Sequence, residues 1–134
     1  MGEEVFLARD FQPREVSVSS SISPSPPGDW GNYLKAPCQA LARRFGPLSG
    51  MDVFVRSSLP VASGLSSSSA LVIAMGQALL AANGHSLPTL DMAQEMARAE
   101  RYTGTQGGGM DQAISLGGLA GHACRIEFDP LTLT

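Results

Sequence analysis

Residues 60–70 read P-V-A-S-G-L-S-S-S-S-A and run straight into L-V-I-A-M-G-Q-A-L-L-A-A. No other stretch constrains the fold as much. Serines are poor helix formers because their hydroxyls compete for nearby backbone groups, yet the apolar run from Leu71 to Ala82 is strongly helix-prone. Upstream, M-D-V-F-V-R-S-S-L-P is short and β-branched, with Val53 and Val55 on one face and Phe54 on the other, and reads as a strand. A strand, a turn around Gly64 and a helix therefore follow one another. The first amides of a helix lack intrahelical acceptors and carry partial positive charge, so a backbone brought close by Gly64 forms an anion site. Ala62 and Ser63 keep its mouth open. The hydroxyls of Ser66, Ser67 and Ser68 can donate to phosphate oxygens, and one could ligate Mg²⁺. In the plainer reading one serine caps the helix and the rest are solvated. A cap needs only one serine, which favours phosphate binding. No G-K-[ST] follows, so this is not a Walker A loop.

A second constellation lies downstream, A-E-R-Y-T-G-T-Q-G-G-G-M-D-Q-A-I-S. Three glycines before Asp111 let backbone and substrate approach closely and set the carboxylate near the start of a short helix. Such an acid can orient a hydroxyl nucleophile or accept its proton, as an Asp does in phosphoryl transfer to an alcohol. Equally, Asp111 could cap that helix with Gln112 at the surface. The plainer reading of Glu100 is an exposed ion pair with a neighbouring Arg. His85 and His122 are isolated and read as structural.

With 134 residues the chain is about one domain or part of one. Nine Lys and Arg against twelve Asp and Glu give a net charge of −3 with no basic block, which argues against nucleic-acid binding. Cys38 and Cys124 lie far apart and read as reduced, buried thiols. The opening M-G-E-E-V-F-L-A-R-D-F has no long apolar region like a secretory signal, and the run from Ala70 to Ala82 is too short to span a bilayer, so a cytoplasmic protein without a membrane partner is expected.

Residues 3–20 alternate loosely and suggest two strands. The Ser/Pro-rich 19–29 reads as a loop. A helix is predicted from Asn32 to Phe45, bent or restarted at Pro37 and ended by Gly46 and Pro47. The next extends to Ala82 with Asn83 and Gly84 as its stop. A third has Pro88 in its first turn and Leu90, Ala93, Ala97 and the stem of Arg101 on one face. H-A-C-R-I-E-F-D-P alternates like a strand. The order β-β-α-β-α-α-β suggests an α+β layer, with helices packed on a mostly antiparallel sheet.

Taken together, P-V-A-S-G-L-S-S-S-S-A-L-V, E-R-Y-T-G-T-Q-G-G-G-M-D-Q and the upstream D-W-G-N-Y-L-K resemble the galactokinase group of the GHMP small-molecule kinases. The likeness is closest to the N-acetylgalactosamine kinase branch, with I-E-F-D-P-L adding to it, and runs from about Trp30 to Leu131. It implies the N-terminal nucleotide- and sugar-binding domain of such a kinase, incomplete at both ends. The family's G-R-V-N-L-I-G-E-H-like motif and C-terminal domain are absent from 1–134. By resemblance the cofactors are ATP and Mg²⁺ and the substrate is galactose or N-acetylgalactosamine. Ser63, Gly64, Leu65, Ser66, Ser67 and Ser68 would wrap the phosphates, and Ser68 with Glu100 would contact Mg²⁺. Trp30 and Tyr33 match residues near the adenine, though core packing explains them equally well. Asp111 matches the catalytic base and Gly108 a backbone contact to the sugar. A non-catalytic ATP- and sugar-sensing protein on the same fold, and an inactive truncated product, are the alternatives. The intact parent is expected to be a monomer, while exposed edges of this segment could associate.

Overall fold

The computed structural model describes residues 14–57, 67–104 and 109–134. Its elements are α1 (Asn32–Phe45), α2 (Ser67–Ala82), α3 (Thr89–Glu100), a 3₁₀ turn (Arg101–Thr103), α4 (Met110–Gly117), and a hairpin of β1 (Ile126–Glu127) and β2 (Thr132–Leu133). The α+β class holds. Among the described residues its sheet is this two-stranded antiparallel ladder, with Ile126 opposite Leu133 and Glu127 opposite Thr132.

The core lies between α1, α2 and α3. Leu41, Leu79, Met96, Val72, Pro37 and Cys38 are its largest fully buried side chains. α2 and α3 approach closely at Gly76, where a Cβ would stand 2.7 Å from Met96 Sδ and 3.0 Å from Met92 Cε. Small residues at such a crossing let helix backbones come near, and the two methionines fill the remaining space.

Both predicted boundaries of α1 are observed, and Gly46 closes it at φ 83°, its amide donating to Ala42 O. Pro37 neither breaks nor restarts the helix. It sits within the second turn and is fully buried, so core packing outweighs the one amide it cannot supply. α2 ends as expected. Gly84 takes φ 70°, and the His85 amide reaches back to Leu80 O at 2.9 Å, a left-handed cap that satisfies terminal carbonyls. Pro88 is the residue before α3 rather than within its first turn. The inward face of α3 carries Met92, Ala93, Met96, Ala99 and Glu100. Leu90 and Ala97 are half-buried and Arg101 is exposed, so the predicted face is rotated by about one residue.

The strand expectations fare less well. Residues 14–18 and 51–57 join no ladder, and Val53 and Phe54 are both largely exposed. An extended segment becomes a strand only beside a partner backbone, and none of the described residues provides one. Residues 3–13 of the two predicted N-terminal strands lie outside the described residues. In the last segment the ladder covers Ile126–Glu127, extended by Arg125, which exchanges two backbone hydrogen bonds with Thr134, because the chain turns through 128–131 and returns.

The Ser/Pro-rich segment is a loop, but a well-anchored one. Along one face of α1, Asn32 Oδ1 accepts from the Ser25 amide, Lys35 Nζ donates to Ser23 O, Gln39 Oε1 accepts from the Ile22 amide and Arg43 Nε donates to Ser20 O. The Tyr102 hydroxyl adds a 2.7 Å bond to Ile22 O. Burial pushes its phenol pKa above the ordinary value.

Candidate functional site

The first turns of α2 and α4 meet at Ser69 and Gln112, and the start of α4 meets α3 at Ala97, one turn before Glu100. These helices pack on one another pairwise. Gly109, at φ 97°, makes the last turn into α4, and a Cβ there would lie 3.4 Å from Ala97 Cβ on α3. A left-handed conformation against a neighbouring helix requires a residue without a side chain. That turn places Asp111 on the second residue of α4, half-buried. Gly109 takes the N-cap position and Asp111 is the second helical residue, so Asp111 is not the N-cap.

Glu100 is 4% exposed, which overturns the expectation of an exposed ion pair. Its Oε1 is buried and has no hydrogen-bond partner among the described residues. The salt bridge of the neighbouring Arg98 runs to Glu95 at 3.1 Å. A carboxylate oxygen in that state is costly unless something neutralises it. A hard cation accepts such an oxygen, so the donor chemistry at Glu100 fits Mg²⁺.

Gln112, expected at the surface, is 3% exposed, and Ser69 is 4% exposed. The Gln112 side-chain amide reaches Ser69 Oγ at 3.5 Å, joining the first turns of α2 and α4. Ser68 beside it is half-buried. Ser67 begins α2, while Ser63, Gly64, Leu65, Ser66 and Gly108 lie outside the described residues. The sequence pattern held a signal for Gln112, since Gln112, Ala113 and Leu116 fall on one helical face.

Trp30 and Tyr33 separate. Trp30 lines a cavity of about 630 Å³ whose walls include Leu34, Cys38, Met75 and Leu79. The Arg14 guanidinium lies 5.7 Å from its ring centroid, a cation–π distance. Arg14 is fixed by a two-point bridge to Asp29, 3.0 and 3.1 Å, and the hydrogen bond from Arg14, with another from the Gly31 amide, holds the Asp29 carboxyl below its ordinary pKa. Tyr33 instead packs against the core and is not part of that cavity wall. The histidines have structural contacts. His85 stacks on Phe45 with centroids 4.4 Å apart, and His122 Nδ1 lies 2.9 Å from Ala120 O. Cys38 is buried, whereas Cys124 is only half-buried.

A family model for the GHMP kinases N terminal domain matches residues 32–118. The chain is 35% identical over 128 residues to a galactokinase of Saccharomyces cerevisiae, covering 86% of this chain and 23% of that protein. It is 38% identical over 99 residues to a galactokinase of Chloroflexus aurantiacus, covering 73% of this chain and 25% of that protein. The chain thus spans about a quarter of the length of these curated relatives. No helix among the described residues is long and apolar enough to cross a membrane.

Proposed function

The chain belongs to the GHMP kinases, and from that premise we propose that the protein it forms part of is an ATP-dependent sugar-1-kinase. It would transfer the γ-phosphoryl of ATP to the anomeric hydroxyl of galactose or N-acetylgalactosamine. The E-R-Y-T-G-T-Q-G-G-G-M-D-Q run favours the N-acetylgalactosamine branch. What supports the reading is a buried carboxylate oxygen at Glu100 with no partner among the described residues, on a helix packed against the one carrying the half-buried Asp111, whose neighbour Gln112 meets Ser69 at the serine-bearing end of α2.

In this reading the amides and hydroxyls at the start of α2 bind the phosphates of ATP, and the residues that would hold Mg²⁺ are Ser68 and Glu100. When bound, the ion neutralises charge on the transferring phosphoryl group. Asp111 orients the sugar's anomeric hydroxyl and takes its proton as the oxygen attacks the γ-phosphorus, while the bond to the β-phosphate oxygen breaks and ADP leaves. Gly108 and Gly109 let the sugar approach the backbone. Trp30 supplies an aromatic wall for the adenine, with Tyr33 acting through packing.

The test is Asp111→Ala in the full-length protein, with ADP release and sugar-1-phosphate formation followed for both sugars. Loss of transfer by about 10²–10⁴-fold with nearly unchanged MgATP affinity is expected, the range that general bases contribute. Equal loss of both would make Asp111 structural. A wild-type protein that binds ATP and sugar without turnover would point to the sensor.

A further inference from the structure

We propose that Gln112 is a positioning residue, one that holds the phosphate-binding end of α2 in register with the helix carrying Asp111. The inference rests on the kinase reading above. It starts from an energetic oddity, since a primary amide and a hydroxyl are buried together at 3% and 4% exposure between two helix starts. An apolar pair would fill that space without desolvating polar groups.

The pair links positions whose neighbours have work to do. Ser69 follows Ser68, and Gln112 follows Asp111, each on the first or second turn of its helix. In-line transfer needs the first turns of these two helices held in a fixed relation to each other. The Gln112 amide provides it by donating to Ser69 Oγ. A hydroxyl and an amide accept only a narrow range of approach, whereas two apolar groups slide. At 3.5 Å the contact stands at the outer limit of a hydrogen bond, as contacts in catalytic sites often do before ligand binding tightens them. Attack at phosphorus requires nucleophile and leaving group in line, so misplacement by about 1 Å between base and phosphates can cost about 10²-fold.

The experiment uses the full-length protein with Ser69→Ala, Gln112→Met and the double variant, measuring unfolding midpoint, MgATP affinity, and kcat and KM for the sugar. Gln112→Met should lower kcat about tenfold with the sugar KM little changed and a midpoint within a few degrees of wild type. In the Ser69→Ala background it should add almost nothing, because the partner is already gone. Independent, additive losses would overturn the proposal, as would a change confined to the midpoint. A readout without turnover accompanies these. Adding MgATP to the wild type should shift the NMR signals of the Gln112 side-chain amide, and Ser69→Ala should abolish that shift. An unmoved signal overturns the proposal even where Gln112→Met fails to fold. If the wild type neither binds MgATP nor transfers phosphate, the kinase reading falls and this inference with it. An active wild type matched by an equally active Gln112→Met sinks the inference alone.

Discussion

The two ends of α3 are built on opposite principles. Its first turns pack Met92 and Met96 against Gly76, within the apolar cluster that also buries Leu79 and Val72. Its last residue, Glu100, buries a carboxylate with an orphaned oxygen, and the adjoining starts of α2 and α4 bury Ser69 and Gln112. One helix thus runs from a region that stabilises the fold into one that weakens it. Unsatisfied buried polar groups are rare in native proteins and concentrate where function needs them. The contrast separates residues kept for packing from residues kept for chemistry, and it can be attacked from either side.

The largest effect is expected in the dry region. Leu79→Ala should cost about 2–5 kcal/mol, from lost transfer energy plus the cavity left behind. Urea unfolding followed by circular dichroism should show a lower midpoint with an unchanged slope. A cost below about 1 kcal/mol would mean that α2 and α3 repack freely, and the distinction between their ends would dissolve.

How much of this was legible in the sequence follows the same division. α1 and α2 were readable to their ends because a helix satisfies its own backbone, and Gly46 and Gly84 state where it stops. The extended segments were misread because alternation at Val53, Phe54 and Val55 describes a surface without naming the backbone that pairs with it. At the site, the serine loop and the glycine run announced themselves by residue type. The burial of Glu100 did not, since a glutamate on a helix flanked by arginines looks solvated until the neighbouring helices are in place. Gln112 was hidden by the same rule, as amides are more often exposed.

The polar region supplies the second test, of intermediate size. Glu100→Gln keeps the shape of the side chain and removes its charge. If the carboxylate is retained for a cation, the variant should be at least as stable as wild type in thermal unfolding, while MgATP affinity by calorimetry falls about tenfold, a loss of about 1.4 kcal/mol. Marked destabilisation with unchanged nucleotide binding would make Glu100 a packing residue after all, and the two ends of α3 would then differ less than their burial suggests.

The smallest effect probes how dry the core is. Burial pushes the Cys38 thiol up from 9.0 to about 11, because the charged thiolate is disfavoured there. The folded state therefore binds this proton more tightly than the unfolded chain. The sign follows directly: the stabilisation is complete below pH 9 and is lost progressively as pH rises from 9.0 to about 11. Below that window Cys38 should resist iodoacetamide, while the half-buried Cys124 is modified first. Peptide mass spectrometry after timed labelling at pH 8 and pH 10 resolves the two sites. Cys38 should acquire label chiefly at the higher pH, and its labelling should speed up in Leu79→Ala, which opens the same core. Equal rates for both cysteines at pH 8 would show that solvent reaches the centre of the helical layer. The apolar packing of Met92 and Met96 on α3 would then no longer mark a region protected from water.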